Sequence, residues 1–406
     1  MSAAPTRKSV RLVEPTPETD EWDVQPVIDW LAQEGRLVAD PGGLIEQMGE
    51  RLVDAGAPIS RFTLGLQTIH PQWRTMGVSW RRGEKAVQQV RPHGIEQSPA
   101  YIGSPIQELA EGRKPVRYRL DQLKPDNHEI LHELASAGGT DYYATPMSVA
   151  TGRPPALTFM TDRPRGFTDS DIRKFHRLMD HLAPIVESRI NHRVSTTLLD
   201  TYLGRIVGEQ ILSGHIRRGD GQEINAVLWF SDLRDFTGLN ERLQPNELLE
   251  LLNNYLQLVG DALAAQGGEI LKFIGDGVMA YFPAEDALFL PEVTAKALAA
   301  ARRLIDDIDA ANEARATGGL EPVRFGIGLH IGPVMFGNVG TEDRLDFTVI
   351  GPAVNRAARL EGLTKELKVP VLASAEFRQA TTQPMVSLGK HPLRGVPEPV
   401  EVFTLP

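Results

Sequence analysis

One hairpin signal constrains the fold of this chain more than any other part of its sequence. Two apolar runs, EILKFI and VMAYF, flank Gly275-Asp276-Gly277, which suits a tight turn between antiparallel strands. An earlier apolar run, AVLWFS, leads into Asp232. If the hairpin lies beside that earlier strand, the two aspartates converge at one end of a sheet. Such a pair favours hard divalent cations such as Mg²⁺ and leaves room for substrate phosphates.

The bulk properties narrow the class of protein. A chain of 406 residues exceeds one ordinary hydrophobic core, so we expect two domains, with three as the alternative. Its hydrophobic share of 41% and charged share of 24% are typical of soluble globular proteins. Because cysteine is absent, disulfides, thiolate nucleophiles and cysteine metal sites are excluded. The net charge of -10 argues against nucleic acid or an anionic membrane as partner, but a metal-neutralised polyphosphate remains compatible.

The N-terminal sequence gives no sign of export or membrane insertion. Residues 1–21 contain no apolar core of a signal peptide, and the chain has no apolar stretch long enough to span a bilayer. We therefore expect a disordered N-terminus, a cytoplasmic protein and no membrane partner.

Residues 22–190 predict a first domain with mixed structure. Helical periodicity over residues 22–57, interrupted at Asp40-Pro41-Gly42-Gly43, indicates two helices. From Arg61 the period changes to that of strands, in the pair RFTLGLQTIHP and WRTMGVSWRRG. A second pair lies within TDYYATPMSVATGRPPALTFMTD and turns at Thr151-Gly152-Arg153-Pro154. A helix should follow GFTDSD, capped by Thr168 and Asp171.

This order of elements, with YYATPMSVA and the GFTDSD helix, resembles a GAF-type sensor domain. The resemblance implies an antiparallel sheet that holds an unknown small-molecule ligand on one face. A purely structural dimerisation domain is the alternative.

A short histidine motif in this domain leaves several interpretations open. His128-Glu129-Ile130-Leu131-His132 matches H-E-x-x-H, a spacing that places two imidazoles on one helix face beside a glutamate. No third histidine follows at the metzincin spacing. The motif could belong to a zinc peptidase, contact a ligand of the sensor, or form a solvated helix face.

A long helical pattern follows from Asp171 to about Ser213. Pro184 is positioned to kink this helix, and Gly204 and Gly208 weaken it. Its apolar positions approach a seam suited to pairing with a second copy: Leu178, Leu182, Ile185, Val186 and Ile190. Residues 191–221 are therefore expected to form a helical transducer linker, with an ordinary linker helix as the alternative.

Residues 222–406 predict an α+β sheet domain with flanking helices. Helices are expected at 245–266 and 293–313, and a third over PAVNRAARLEGLTKEL. Strands are expected over VRFGIGLHIG, after a turn through VMFGNVG, over LDFTVIG, and in short segments ending in PVEVFTL. Gly326, Gly328 and Gly332 nearly match a dinucleotide fingerprint, but Ile331 occupies the position of its third glycine.

Five motifs in this domain resemble the catalytic domain of class III nucleotidyl cyclases: FSDLRDFT, KFIGDG, GIGLHIGPVMFGNVG, TVIGPAVNRAARL and LRGVPEPVEVF. The resemblance implies that Asp232, Asp276 and the carbonyl of Leu233 bind two Mg²⁺ or Mn²⁺ ions per site. It also implies that the backbone at Phe236 and Thr237, at a helix N-terminus, binds the triphosphate.

The same resemblance assigns roles to five further side chains. Asn355 and Arg359, four residues apart on one helix face, would orient the ribose and stabilise charge on the α-phosphoryl group. Arg394 would bind the outgoing phosphates. Lys272 would donate to adenine N1, and the Thr348 hydroxyl would accept from the exocyclic amine. Guanine carries a donor at N1, so this pair favours ATP over GTP.

The resemblance further implies a homodimer with composite sites. Lys272 and Asp276 are too near in sequence to serve opposite ends of one nucleotide, and in the family the metal acids and base-binding residues come from different subunits. We therefore expect a sensor-regulated adenylyl cyclase that forms cyclic AMP and pyrophosphate by in-line attack of the ribose 3′-hydroxyl. A non-catalytic nucleotide- and ligand-binding signalling module and a guanylyl cyclase are the alternatives.

Three positions depart from the common family pattern. Thr348 replaces a more frequent aspartate, which resembles the threonine-type subgroup, some of whose members respond to bicarbonate. Pro352 replaces an aspartate and is expected to alter a loop without removing a catalytic role. Asp235 replaces a glycine, and a carboxylate close to the triphosphate would raise the KM for nucleotide.

Overall fold

The structure, a computed structural model, describes residues 22–67, 70–150, 154–284 and 286–406. The chain divides into two compact units, Met1–Leu198 and Leu199–Pro406. Residues 1–21, expected to be disordered, lie outside the described residues, and so do Thr151, Gly152 and Arg153 of the expected turn. None of the described helices is long and apolar enough to cross a membrane.

The first unit combines helices with short strands. In chain order its elements are α1 (Gln25–Gln33), α2 (Pro41–Asp54), β1 (Arg61–Gln67), β2 (Trp73–Arg81), β3 (Val87–Pro92), α3 (Pro105–Gly112), β4 (Val116–Arg119), α4 (Glu129–Ser136), β5 (Asp141–Pro146), β6 (Ala156–Thr161) and the first part of α5 (Asp169–Leu203).

The strands of this unit form one antiparallel sheet in the order β3-β2-β1-β6-β5-β4. Burial alternates along β1, where Phe62, Leu64 and Leu66 are the buried residues, as the period of a strand predicts. They belong to a core shared with α1, α2 and α5. A second core joins Tyr142 and Ala144 of β5 to α3 and α4. Tyr143, which lies between them, belongs to the first core, so this strand is buried on both faces.

The sequence predicted β1, β2, β5 and β6 but missed β3 and β4. All residues of β3 are exposed, so that strand carries no alternation of polar and apolar positions. The Asp40-Pro41-Gly42-Gly43 segment also differs from expectation, because α2 begins at Pro41 instead of after the glycines. Asp40 caps the helix by accepting from the Gly43 amide at 2.7 Å, and proline is favoured in the first helical turn.

The long helix α5 starts with the expected capping box. The Asp171 amide donates to Thr168 Oγ1 at 3.1 Å, and the Thr168 amide donates to Asp171 Oδ2 at 2.7 Å. Pro184 lies inside α5. The single helix expected up to about Ser213 is instead interrupted at Gly204, which has φ +87°. A left-handed residue cannot continue a right-handed helix, so a separate helix starts at the next residue.

The second unit is a larger α+β domain. After the end of α5 its elements are α6 (Arg205–Leu212), β7 (Gly221–Leu233), α7 (Phe236–Arg242), α8 (Pro245–Ala264), β8 (Glu269–Ile274), β9 (Gly277–Pro283), α9 (Leu290–Thr317), β10 (Phe325–Gly340), β11 (Leu345–Ile350), α10 (Pro352–Leu367), β12 (Val371–Ser374), α11 (Ala375–Ala380), β13 (Val386–His391) and β14 (Val400–Thr404).

The sheet of this unit has the order β13-β14-β12-β10-β7-β9-β8, with β11 paired to β10. The sequence predicted a turn between VRFGIGLHIG and VMFGNVG. This prediction is wrong, because Phe325–Gly340 is one strand. Pairing with β7 runs from Phe325 to Gly337 without interruption. Proline has no amide hydrogen to donate. Pro333 nevertheless lies within this ladder, opposite Asn225 of β7.

Helices cover both faces of the second sheet. Trp229 of β7 faces a core formed with α8 and α9. Leu228, its neighbour, faces another core that includes Ala353 and Ala357 of α10. The α+β prediction is therefore confirmed for this unit, with the substrate-contacting candidates of α10 placed on one face of the sheet.

Three glycines of β10 bring α10 unusually close to the sheet. A Cβ built on Gly328 would lie 2.2 Å from the Ala357 carbonyl oxygen, and one on Gly332 would lie 3.1 Å from Ala353 Cβ. Gly326 has the same parity and lies on the same face. The near-match to a dinucleotide fingerprint is thus explained by helix packing.

Candidate functional site

Two carboxylates meet where β7 ends and the β8–β9 hairpin turns. Asp232 is next to last in β7, and β9 runs antiparallel beside it. Gly275, with φ +65°, and Asp276 lie between β8 and β9. A Cβ built on Gly277 would be 3.5 Å from Asp232 Oδ1. The fold therefore brings Asp232 beside the turn that carries Asp276.

The surroundings of Asp232 are unfavourable for a lone negative charge. Burial raises the pKa of this carboxyl to about 8, and the Asp276 carboxylate acts in the same direction. Asp232 Oδ1 is buried without a hydrogen-bond partner among the described residues. A bound cation would provide that partner and offset the repulsion between the two aspartates. These residues fit a hard divalent cation.

The candidate ligand set is small. Within the described ranges, no group of three or more His, Cys, Asp or Glu side chains could hold a metal ion. The predicted set consists of two carboxylates and the Leu233 carbonyl at the end of β7. Oxygen donors suit Mg²⁺, and a set of this size leaves coordination positions for water or substrate phosphates.

The helix expected at the triphosphate begins where the sequence placed it. α7 starts at Phe236, and Thr237 is exposed. Asp235, with φ +60°, precedes the helix in a left-handed conformation that glycine adopts more readily. Its carboxylate forms an ion pair of 3.0 Å with Arg242. The extra negative charge at this position is thus partly compensated within the chain.

The two residues expected to bind the base lie on strands that do not pair with each other, β8 and β11. Lys272 of β8 forms an ion pair with Asp346 of β11. Thr348 is two residues further along β11, so it projects from the same face of that strand as Asp346. The structure therefore brings the Lys272 ammonium group to the side of β11 that carries Thr348.

The predicted ribose and phosphate residues gather around α10. Asn355 is exposed and Arg359 is half-buried, one turn apart. A Cβ built on Gly395 would lie 3.3 Å from Arg359 Nη2, which places the loop of exposed Arg394 against this guanidinium. The side chains of Asn355, Arg359 and Arg394 have no hydrogen bond or ion pair among the described residues. They remain available to an anionic ligand. Pro352 is the first residue of α10, a favourable position for proline.

An ion pair that sequence reasoning missed links the end of β7 to α10. Arg234 Nη1 lies 2.8 Å from Glu361 Oε1, and Nη2 donates to the Glu361 carbonyl at 3.4 Å and to Thr364 Oγ1. Both charged side chains are largely buried, with 15% and 13% exposure. The partners are 127 positions apart, so no local spacing could reveal the pair. Asp346 could have been found, because it is two residues before Thr348 on the same strand face.

The histidine motif of the first unit does not form the expected pair on a helix. His128 precedes α4 as its N-cap, and its Nδ1 accepts from the Ile130 amide at 3.2 Å. Its Nε2 then donates to the Pro99 carbonyl at 3.1 Å. His132 Nε2 is buried without a partner in the described part of the chain. Since both nitrogens of His128 are engaged, the arrangement argues against a zinc peptidase.

Comparisons with known proteins find adenylate and guanylate cyclases. The family model described as the adenylate and guanylate cyclase catalytic domain matches residues 221–405. Adenylate cyclase 1 of Rhizobium meliloti (strain 1021) is 31% identical over 279 residues, which cover 66% of this chain and 41% of that protein. Adenylate cyclase of Anabaena cylindrica is 40% identical over 162 residues, which cover 39% of this chain and 31% of that protein.

A solved structure of a bacterial light-regulated adenylyl cyclase is 34% identical, with a TM-score of 0.41, and the match covers 45% of this chain and 91% of that one. The chain spans well under half the length of the two curated relatives.

Proposed function

Because residues 221–405 are a catalytic domain of the adenylate and guanylate cyclase family, we propose that this chain converts ATP into 3′,5′-cyclic AMP and pyrophosphate. The observation that carries the proposal is the convergence of Asp232 and Asp276, with Asp232 Oδ1 buried and unpartnered in the described structure. The reaction forms a bond between the ribose 3′-oxygen and the α-phosphorus and breaks the bond to pyrophosphate. The 3′-hydroxyl loses its proton in this step.

The metal half of the site consists of Asp232, Asp276 and the Leu233 carbonyl, which would hold two Mg²⁺ or Mn²⁺ ions. The chemistry supplied by these ions, when bound, is acidification of the ribose 3′-hydroxyl and neutralisation of the triphosphate. The backbone amides at Phe236 and Thr237 would bind phosphate oxygens. All of these groups lie at or just after the end of β7 or in the β8–β9 turn.

The base half consists of Lys272 and Thr348, which favour adenine. A lysine has only donors and therefore suits adenine N1, whereas a hydroxyl can accept from the exocyclic amine. The contact of Lys272 with Asp346 supports this assignment, since it directs the ammonium group towards the strand of Thr348. Thr348 in place of aspartate is the basis for assigning the chain to the threonine-type subgroup.

The same half as the base residues also contains the proposed ribose and transition-state residues, Asn355, Arg359 and Arg394. Asn355 would orient the ribose, and the Arg359 guanidinium would stabilise charge on the α-phosphoryl group as pyrophosphate departs. Arg394 would bind the departing phosphates. The lack of protein partners for these side chains in the described structure supports such roles, because an ion pair would have to be broken before phosphate could bind.

We propose that the active form is a homodimer with composite sites. Lys272 and Asp276 belong to one hairpin, within about 13 Å along the strand. Several exposed apolar side chains surround these residues and Thr348, and they would be covered by a second copy: Phe273 (54%), Ile274 (54%), Met335 (48%), Ile350 (47%), Val339 (42%) and Leu345 (37%). Metal residues of one chain would then face the base and transition-state residues of the other.

The first unit is proposed to be a GAF-like sensor domain that regulates the cyclase through α5. An antiparallel six-stranded sheet with a helix-covered core supports this assignment. The opposite face of β1 and β2 carries hydroxyl groups, with Thr63 Oγ1 donating to Ser79 Oγ at 3.0 Å. Mass spectrometry of small molecules released from the purified full-length chain would identify its ligand, and their absence would favour a structural dimerisation domain.

The enzymatic proposal is tested by incubating the purified chain with Mn²⁺ and either ATP or GTP. We expect cyclic AMP from ATP and a lower kcat/KM with GTP. Lys272→Ala should reduce the preference for ATP, whereas Lys296→Ala, which removes a lysine paired with Glu292 on the surface of α9, should not.

Two outcomes would replace the proposal. A preference for GTP would identify a guanylyl cyclase. Nucleotide binding without any cyclic product would identify a non-catalytic signalling module.

A further inference from the structure

Arg234 occupies a position between the metal half and the helix of the transition-state residues. It directly follows Leu233, and its amide donates to the Arg324 carbonyl at 2.7 Å, which extends the pairing of β7 with the chain leading into β10. Its side chain reaches α10 and contacts two residues there, Glu361 and Thr364. One side chain thus joins the last residues of β7 to α10.

The absence of a side chain at Gly326 leaves space for the Arg234 guanidinium. Gly326 lies opposite Asp232 in the pairing of β10 with β7. A Cβ on Gly326 would lie only 1.7 Å from Arg234 Nη2 and 2.2 Å from Thr364 Oγ1. Any larger residue at position 326 would displace the guanidinium from α10. The bridge therefore depends on a residue of β10 as well as on its two partners.

We infer that Arg234 is a positioning residue whose bridge to Glu361 and Thr364 holds the Asp232–Leu233 end of β7 in the pose that binds the metal ions. The inference rests on the proposed function, since it assumes that these residues are the metal ligands. Backbone hydrogen bonds constrain the main chain through Leu233, the last residue of β7, and the Arg234 amide, but at this end they join it only to the chain of β10. The Arg234 side chain adds a constraint from α10, and its planar fork fixes direction as well as distance.

Whether metal binding becomes tighter or weaker when Arg234 is substituted distinguishes a positioning role from a purely electrostatic one. A cation near Asp232 disfavours binding of another cation, so removing the Arg234 charge alone should tighten metal binding. Loss of a positioning contact should instead weaken it. Arg234→Met removes both the charge and the contact, and the sign of the change shows which effect dominates.

Mn²⁺ binding to the full-length chain provides a readout that does not require turnover. Free Mn²⁺ is measured by electron paramagnetic resonance in the presence of a non-cyclisable ATP analogue. We expect Arg234→Met and Glu361→Gln to raise the half-saturating Mn²⁺ concentration about tenfold. Arg234→Lys should lie between them and wild type, because an ammonium group cannot reproduce the fork. Arg303→Met, which breaks an exposed pair with Asp307 on α9, should bind Mn²⁺ like wild type.

A variant that loses one partner of a buried ion pair can fail to fold. The double variant Arg234→Met/Glu361→Leu replaces both charges by apolar groups and should fold, yet it should still bind Mn²⁺ about tenfold more weakly than wild type. Unchanged or tighter Mn²⁺ binding per folded chain in this variant would overturn the inference. If the variants behave as expected but wild type makes no cyclic AMP, the proposed function fails and the positioning role stands.

Mixed dimers locate the effect in one half of the site. When Arg234→Met is mixed with Asp276→Ala, the surviving composite site uses the metal half of the Arg234→Met chain and should need more Mn²⁺. When it is mixed with a large excess of Arg359→Ala, so that few Arg234→Met homodimers form, nearly all active sites use an intact metal half and should show the Mn²⁺ dependence of wild type. An equal shift in both mixtures would indicate general structural damage and contradict the inference.

Discussion

Gly395 lies against the guanidinium of Arg359, so that a Cβ on Gly395 would be 3.3 Å from Nη2 and 3.7 Å from Nη1. Gly395 also has φ +68°, a conformation that other residues adopt at a cost. The loop that carries Arg394 is therefore shaped to sit on Arg359. Any side chain at position 395 would press on the proposed transition-state residue.

We expect Gly395→Ala to lower kcat about tenfold or more, because a small displacement of a group aligned with the reacting atoms has a large effect on rate. Gly389→Ala is the matched control, since Gly389 has φ +86° but a Cβ there would have nothing within 4 Å. Both variants carry similar backbone strain and should lose similar stability. Equal kcat values for the two variants would show that the contact with Arg359 does not matter.

The composite site predicts complementation between inactive chains. Asp276→Ala and Arg359→Ala should each abolish cyclic AMP formation. After the two are mixed and allowed to exchange subunits, roughly a quarter of the wild-type activity should return, because half of the dimers are mixed and each of those has one intact site. Mixing Asp276→Ala with Asp232→Asn should restore nothing, since both substitutions remove the metal half. Activity in that second mixture would argue against the assignment.

Asp232→Asn should abolish turnover and yet stabilise the metal-free protein. The free energy of unfolding in EDTA should rise by about 1 to 3 kcal/mol, because Asp232 is partly buried beside Asp276 with its Oδ1 lacking a hydrogen-bond partner, and an amide carries no charge to bury there. Mn²⁺ should raise the Tm of wild type but not of the variant. Asp261→Asn, which changes an exposed aspartate of α8 that accepts from Gln257 at 2.8 Å, should leave the Tm and its response to Mn²⁺ unchanged. A lower Tm for Asp232→Asn in EDTA would contradict this account.

The buried His330 should make the folded protein less stable in mild acid. Burial lowers the pKa of this histidine from 6.5 to about 4, although the nearby Glu376 opposes the shift. Between these values the unfolded chain binds a proton that the folded chain does not, so stability falls as the pH falls from 6.5 to 4. The loss attributable to this group is about 3 kcal/mol. Denaturant unfolding at several pH values measures it.

His330→Gln should remove most of that pH dependence, and His391→Gln, in a half-buried position of β13, should retain it. His330 Nδ1 lies 2.8 Å from Ser374 Oγ, and glutamine can keep a hydrogen bond there. An unchanged pH dependence in His330→Gln would assign the acid sensitivity to other groups.

Local signals in the sequence predicted some elements of the site well. The expected helix PAVNRAARLEGLTKEL coincides with α10, because Pro352 suits a helix start and Gly351 precedes it in a conformation outside the helix. Gly275 likewise marked the hairpin turn, since its φ is positive. The sequence was therefore sufficient to predict turns and helix ends that are determined by their own residues.

Pairing between distant segments was not predictable in the same way. Gly332-Pro333 has the composition of a turn, yet pairing with β7 holds that segment as part of one long strand. The contact of Arg234 with Glu361 depends on how α10 lies on the sheet, and neither residue has a neighbour in sequence that indicates it. In the sequence, Gly326 is only part of an incomplete dinucleotide-binding motif. The structure shows that its lack of a side chain leaves space for the Arg234 guanidinium.

The three glycines of β10 have a consequence for how this domain can mutate. At Gly326, Gly328 and Gly332 the space that a methyl group would need is already occupied, with contacts as short as 1.7 Å, 2.2 Å and 3.1 Å. Even the smallest substitution there forces a neighbour to move. These three positions should therefore be sensitive to mutation although they take no part in the proposed chemistry. Screens for loss of function should find these glycines as readily as the aspartates.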